Sequence, residues 1–195
     1  MKAQNNSIAG IYNLEGVMEM ASGFKLNADS TFEFYFSYGA IDRFGAGTWN
    51  FINKKVILNS RPYPGNDFKL LSSTSTKNDF ITITIAEKNA MLLPYIYAFT
   101  TTLKDGEYPV KADSHGMIKL QSANADTLHL LFEFTPERIS SFSIKGKTQN
   151  NFTFALEPWL SEIFLKDFEL TVKDDQLKGK HPLLDKDECV YVKEQ

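Results

Sequence analysis

Cysteine is all but missing from this chain, with Cys189 the single one in 195 residues. An intrachain disulfide and any multi-cysteine metal site are therefore excluded. Histidine is nearly as scarce: His115, His129 and His181 are the only three. None stands at metal-ligand spacing from another His, from Cys or from a carboxylate on one element, so no metal is expected. Charge of either sign is in balance. The 21 basic and 24 acidic residues leave a formal net charge of −3, which implies no strong pull toward nucleic acid or an anionic membrane. Long apolar runs are lacking too. The longest charge-free stretch, Asn89 to Leu103, is broken by Pro94 and falls short of the roughly 18 apolar residues that a spanning helix needs. The first seven residues are polar and contain no apolar signal-peptide core. Two origins fit that start: a cytoplasmic product beginning at Met1, or the mature part of an exported protein.

Catalytic signatures are missing in the same way. There is no Gly-x-Ser-x-Gly elbow and no glycine-rich phosphate loop. Asp187 and Glu188 precede Cys189 and would raise its thiol pKa, which argues against a nucleophile. Asp185 to Glu188 lacks the glycine and the length of a calcium loop. The expectation is a protein that is not an enzyme and needs no cofactor. The competing expectation is a hydrolase with a carboxylate pair about 5–9 Å apart that convergence in the fold would create.

What is present is apolar and aromatic: 43% hydrophobic residues, sixteen of them Phe. That is enough to offset the entropy of ordering, so disorder is excluded. Period two dominates. From Thr31 to Tyr38, Phe32, Phe34, Phe36 and Tyr38 share one face, with Glu33, Tyr35 and Ser37 on the other. This predicts a half-buried antiparallel strand. Phe24 to Leu26 is a short strand before it, with Asn27 to Ser30 as the hairpin turn. Gly45-Ala46-Gly47 is expected to break the run, with a new strand starting at Thr48 and another at Val56 to Leu58. Beyond the Pro/Gly/Asn-rich stretch 61–67 and the Ser/Thr run 72–76, a second β series follows. It comprises 80–85, 95–102, 117–120, 127–134, 139–144 and 152–156, with turns at 104–106 and 113–116. Such short strands with turn residues between them predict a β-sandwich. Leu156, Trp159, Leu160, Ile163 and Phe164 sit at helical spacing, so a short helix is expected over 158–164, then a strand over 166–173. A polar loop, 174–188, and a last strand, 190–192, end the chain.

The first third resembles the small lipocalin-like, calycin-type domains of bacterial envelope proteins. The resemblance rests on Gly10-Ile11-Tyr12, Phe24-Lys25-Leu26, Asp29-Ser30-Thr31-Phe32, Gly47-Thr48-Trp49 and Val56-Ile57-Leu58, with Val190 to Lys193 like a typical closing strand. The middle is similar to the transthyretin-like or carboxypeptidase-regulatory-like seven-strand sandwich, through Ala112-Asp113-Ser114-His115-Gly116-Met117-Ile118-Lys119-Leu120. Together they imply an all-β chain: a discontinuous barrel or half-barrel meander, 1–72 with 160–195, interrupted by a sandwich over 78–157. Both families are common in envelope and secreted proteins, which tilts the expectation toward a periplasmic or secreted protein. A fold by itself names no substrate.

The expected role is non-catalytic binding, with either a protein partner or a small apolar ligand. The stretch Ser37 to Phe44 is read as a loop at the rim of the meander. Tyr35, Tyr38, Asp42, Arg43, Phe44 and Trp49 are the candidate ligand- or partner-binding residues. A carrier would keep Phe34, Phe36 and Trp49 around a cavity. An interaction module would fill the barrel and present Tyr35, Tyr38, Phe44 or the Tyr63 loop outward.

Overall fold

The computed structural model describes residues 7–100, 109–121, 125–146, 148–186 and 188–195. The expected turn at 104–106 lies outside the described residues, as does the end of the 95–102 strand. The chain divides into two compact units, Met1–Tyr63 with Ser161–Gln195, and Pro64–Leu160. Among the described residues no helix reaches seven residues, and none is long and apolar enough to cross a membrane.

The first unit opens with β1 (Gly10–Leu14), β2 (Met20–Leu26), β3 (Thr31–Tyr38), β4 (Ile41–Ile52) and β5 (Lys55–Ser60). Each pairs antiparallel with the next. The strict alternation in β3 buries Phe32, Phe34 and Phe36 and leaves Thr31, Glu33 and Tyr35 exposed. Asp29 accepts from the amide and hydroxyl of Thr31 and so shapes the β2–β3 turn. Eight strands of the second unit intervene. The chain then returns as β14 (Glu162–Ile163), β15 (Phe168–Lys173), β16 (Gln176–Gly179) and β17 (Cys189–Lys193). β15 pairs with β5, β16 with β15, and β17 with both β16 and β1. The result is a closed eight-stranded antiparallel barrel with β14 added parallel to β4 at Phe44 and Gly45. Closure removes the open edges that a five-stranded meander would expose.

All eight barrel strands contribute to one core, among them Tyr12, Phe24, Trp49, Leu58, Leu177 and Tyr191. Each such side chain contributes about 1.5–3 kcal/mol on leaving water. β4 differs from the sequence expectation. Instead of breaking at Gly45-Ala46-Gly47, it runs unbroken from Ile41 to Ile52. The glycines serve close approach: a Cβ on Gly47 would lie 2.1 Å from the Asn59 carbonyl oxygen, and one on Gly45 3.1 Å from that of Ile163. β16 lies within the stretch expected as a polar loop, because only Leu177 of its four residues is fully buried and no alternation marks it.

The second unit carries β6 (Phe68–Thr74), β7 (Ile81–Ile85), β8 (Ile96–Thr100), β9 (Val110–Lys111), β10 (Met117–Leu120), β11 (Thr127–Phe132), β12 (Ile139–Ser143) and β13 (Asn151–Leu156). They form two four-stranded sheets, β10-β7-β13-β6 and β12-β11-β8-β9. That is one strand more than the seven-strand resemblance implies, and β7 and β13 run parallel. Ile83, Phe154, Ile96, Leu128 and Leu130 bring the two sheets onto one core. Residues 68–72, grouped by sequence with the meander, belong here as β6 paired to β13. That strand is exposed along both faces except at Phe68, so it carries no periodic signal.

The expected helix at 158–164 is not formed; a turn at 158–161 leads into β14 instead. Its apolar spacing is coincidental, because the residues serve two cores: Leu160 packs in the second unit, Ile163 in the barrel. The ends of the second unit are tied by a polar clasp. Arg138 Nε donates to Asp67 Oδ2 at 2.8 Å, and another guanidinium nitrogen donates to the Leu160 carbonyl. The Asp67 amide donates to Ser140 Oγ, the Glu157 amide to the Asp67 carbonyl, and Trp159 Nε1 to the Asn66 carbonyl.

Candidate functional site

The six residues singled out from sequence do not come together. Ser37 and Tyr38 end β3, the turn is Gly39-Ala40, and Ile41 to Phe44 already belong to β4. The expected rim loop is thus a tight hairpin. Its pleat sends adjacent residues to opposite faces. Asp42 and Phe44 point outward, whereas Arg43 points inward and is only 4% exposed. The pair read as a rim feature is therefore split across the barrel wall. Trp49 lies wholly in the core, its Nε1 donating to the Asn27 carbonyl at 3.0 Å.

Tyr35 and Phe44 are cross-strand partners on the outer face. Tyr35 is engaged there. Its ring crosses Gly23 so that its hydroxyl donates to Asn13 Oδ1. A Cβ at Gly23 would sit 2.7 Å from Tyr35 Oη and 2.3 Å from the Tyr12 carbonyl, so glycine is required beneath the ring. Burial, then the charge of Glu194, raises the Tyr35 phenol pKa. Tyr63 is half-buried against the Phe164 ring, 5.2 Å between centroids. Phe44, 49% exposed, and Tyr38, 46% exposed, remain as the open aromatics of the hairpin.

A different polar group, within the stretch expected as a polar loop, stands out instead. His181 is buried at the end of the barrel where β16 hands over to β17. Its ring lies 5.7 Å from Phe34, 5.6 Å from Phe36 and 6.3 Å from Tyr191, stacked on the last at 14°. Nδ1 accepts from the amides of Leu183 and Leu184 at 3.0 and 3.1 Å. With Nδ1 an acceptor, Nε2 carries the proton and donates to Ser22 Oγ at 3.0 Å, and that hydroxyl donates to the Tyr35 carbonyl at 2.8 Å. Burial lowers the imidazole pKa to about 4, so the ring is neutral at pH 7. Leu183 and Leu184 pack on the barrel core beside it. The one signal in sequence is that His181-Pro182-Leu183-Leu184 places two leucines inside a polar stretch.

Tyr191, against the same ring, is fully buried, and among the described residues its hydroxyl finds no hydrogen-bond partner. Burial, then the nearby Cys189, raises its phenol pKa well above the usual value. An orphan buried hydroxyl is costly, and replacing it by an apolar group of the same shape is neutral or stabilising. Tyr191→Phe is therefore expected to stabilise the chain by up to about 1 kcal/mol. Urea unfolding should show it as a higher midpoint at unchanged slope; a lower midpoint would mean that the hydroxyl is partnered.

The other histidines have local roles. His115 sits in a turn where Asp113 Oδ1 accepts from the amides of Met117 and His115, which lowers the Asp113 pKa. His129 stacks on Phe99 and bonds Ser141 Oγ at 2.9 Å. Cys189 is buried in the barrel core, and burial raises its thiol pKa. Among the described residues no three His, Cys, Asp or Glu side chains are grouped to hold a metal ion. Comparison with known proteins finds no matching family model, no matching curated protein and no matching solved structure.

Proposed function

We propose that this chain is a non-catalytic interaction protein of the bacterial cell envelope, a lipocalin-like barrel interrupted by a transthyretin-like sandwich. The closed eight-stranded antiparallel barrel and the two four-stranded sheets support the two resemblances. The observation that carries the reading is where the aromatic surface lies. A carrier would leave room around Phe34 and Trp49, yet these are 1% and 0% exposed, with Phe24 and Tyr191 packed as tightly beside them. Phe44 and Tyr38, by contrast, stand open on the β3–β4 hairpin. Exposed aromatics of that kind supply large, low-entropy contacts to a protein partner.

A photo-crosslinking residue placed at Phe44 of the full chain tests this in producing cells. A discrete crosslinked species is expected at position 44. None is expected at Glu33, which is outward on β3 but occupied by Lys25. Equal labelling at both positions, or none at either, would overturn the proposal.

A further inference from the structure

We propose that two copies of this chain associate edge to edge through β12 of the second unit, antiparallel about a twofold axis at Ser141. The sheet β12-β11-β8-β9 then continues from one copy into the other. The inference concerns a different unit from the aromatic hairpin, so its failure leaves the interaction reading intact.

Three observations carry it. The first is the hydrogen-bond parity of the strand. The Ile144 amide donates to the Asp126 carbonyl in the register that β11 and β12 continue, and bonded pairs alternate from there. Leu128 with Phe142, and Leu130 with Ser140, therefore exchange the bonds between these two strands. The main-chain groups of Ile139, Ser141 and Ser143 face the open edge instead, and among the described residues none of them meets a backbone partner there. The second is that nothing guards this edge. Open strands are ordinarily blunted by charge, proline, a bulge or shortness. Of the other edge strands of the two sheets, β9 has two residues, β10 carries Lys119, and β6 has Lys69 and a register shift against β13. β12 has no charge, no proline and no irregularity from Ile139 to Ser143, and Ile139 is 50% exposed. The third is self-complementarity. A twofold at Ser141 sets Ile139 opposite Ser143 and Phe142 opposite Ser140, so each large side chain meets a serine. It also brings Glu137, exposed before the strand, toward Lys145, exposed after it and only 3.7 Å from Asp126 in its own chain. Opposite charges so placed favour the antiparallel pairing, whereas a parallel one would set Glu137 against Glu137.

The test is sedimentation equilibrium of the full chain from about 1 to 200 μM, because a contact through one short strand is small and gives a weak, reversible dimer. Ser141→Lys sets two ammonium groups face to face on the axis and leaves the main-chain bonds to β11 untouched. It is expected to weaken dimerisation about tenfold or more, with the 1H–15N spectrum still that of a folded chain. Single cysteines read the register. Directly opposed residues that exchange both main-chain bonds stand about 5.5 Å apart between Cα atoms, within disulfide reach. Oxidised Ser141→Cys should therefore give a disulfide-linked dimer. Ile139→Cys and Ser143→Cys should each stay uncrosslinked alone and crosslink when mixed. The parent, whose one cysteine is buried, should give no crosslink. If Ser141→Lys does not fold, the cysteine pattern decides. The proposal is overturned if the parent stays monomeric throughout, or if folded Ser141→Lys dimerises as tightly as the parent. It is equally overturned if Ile139→Cys alone crosslinks as readily as Ser141→Cys.

Discussion

Replacing Arg138 with alanine is expected to destabilise the second unit by about 3–5 kcal/mol, the cost of leaving one partner of a buried ion pair uncompensated. The Asp67 side chain is 2% exposed and that of Arg138 10%, so water cannot take over when the guanidinium is removed. The Leu160 carbonyl would lose its donor in the same step. Lys25–Glu33, Lys55–Glu169 and Arg61–Glu162 have comparable distances, but at least one partner of each is widely exposed, and their removal should matter little. The paired substitution Asp67→Leu with Arg138→Met should recover most of the loss, because the penalty comes from the unpaired charge and not from the missing pair. Trp159, which donates to the Asn66 carbonyl next to Asp67, is a local reporter. Its fluorescence through urea unfolding, in a Trp49→Phe background, measures the effect. An Arg138→Ala chain within about 1 kcal/mol of its parent would show that the clasp contributes no more than an exposed pair.

The parts of the fold legible in the sequence are those with one buried and one solvated face. β3 and β7 alternate cleanly because each has one face in a core. Where burial does not alternate, the sequence is silent. β6 has only Phe68 buried and β16 only Leu177, so both merged with polar connections. Spacing misled at 156–164, since it assumes that the apolar residues share one core, and here they serve two. The glycines of β4 mislead for a related reason. Sequence records the missing side chain, whereas the Asn59 backbone that needs the space lies on another strand.

The candidate site was less legible still. A loop drawn over Ser37 to Phe44, where the turn is only Gly39-Ala40, makes Asp42 and Arg43 look like one rim feature; the pleat of β4 puts them on opposite sides of the wall. The His181 contacts are invisible for another reason. Ser22 lies 159 residues away, and Phe34, Phe36 and Tyr191 come from two further strands. No local pattern encodes such a meeting, and only the leucines after Pro182 mark the segment as one that returns to a core.

Acid is expected to weaken the barrel through His181 from about pH 6.5 downward, before the carboxylates begin to titrate. The unfolded imidazole binds its proton near pH 6.5 and the folded one at about 4. Between those values the unfolded state holds one more proton, so stability is fully present above pH 6.5 and falls as pH drops toward 4. The steepest loss is about 1.4 kcal/mol per pH unit, and the whole window amounts to at most roughly 3–4 kcal/mol. The cause is geometric as well as dielectric. A proton on Nδ1 would face the Leu183 and Leu184 amides, two donors with nothing left to accept them. Asp29, Glu33 and Asp113, whose pKa values are lowered in the fold by hydrogen bonds, lose their contributions only below their unfolded values of 3.8 to 4.5. The interval from pH 6.5 to 4.5 therefore belongs to histidine. His129, also lowered by burial, acts in the same direction and is replaced by asparagine in the background used. In that background, urea midpoints should fall across the interval with His181 present and stay level with His181→Asn, whose amide oxygen can still accept from the two leucine amides without titrating. Midpoints that stay level with His181 in place would mean that the ring is solvated or already charged.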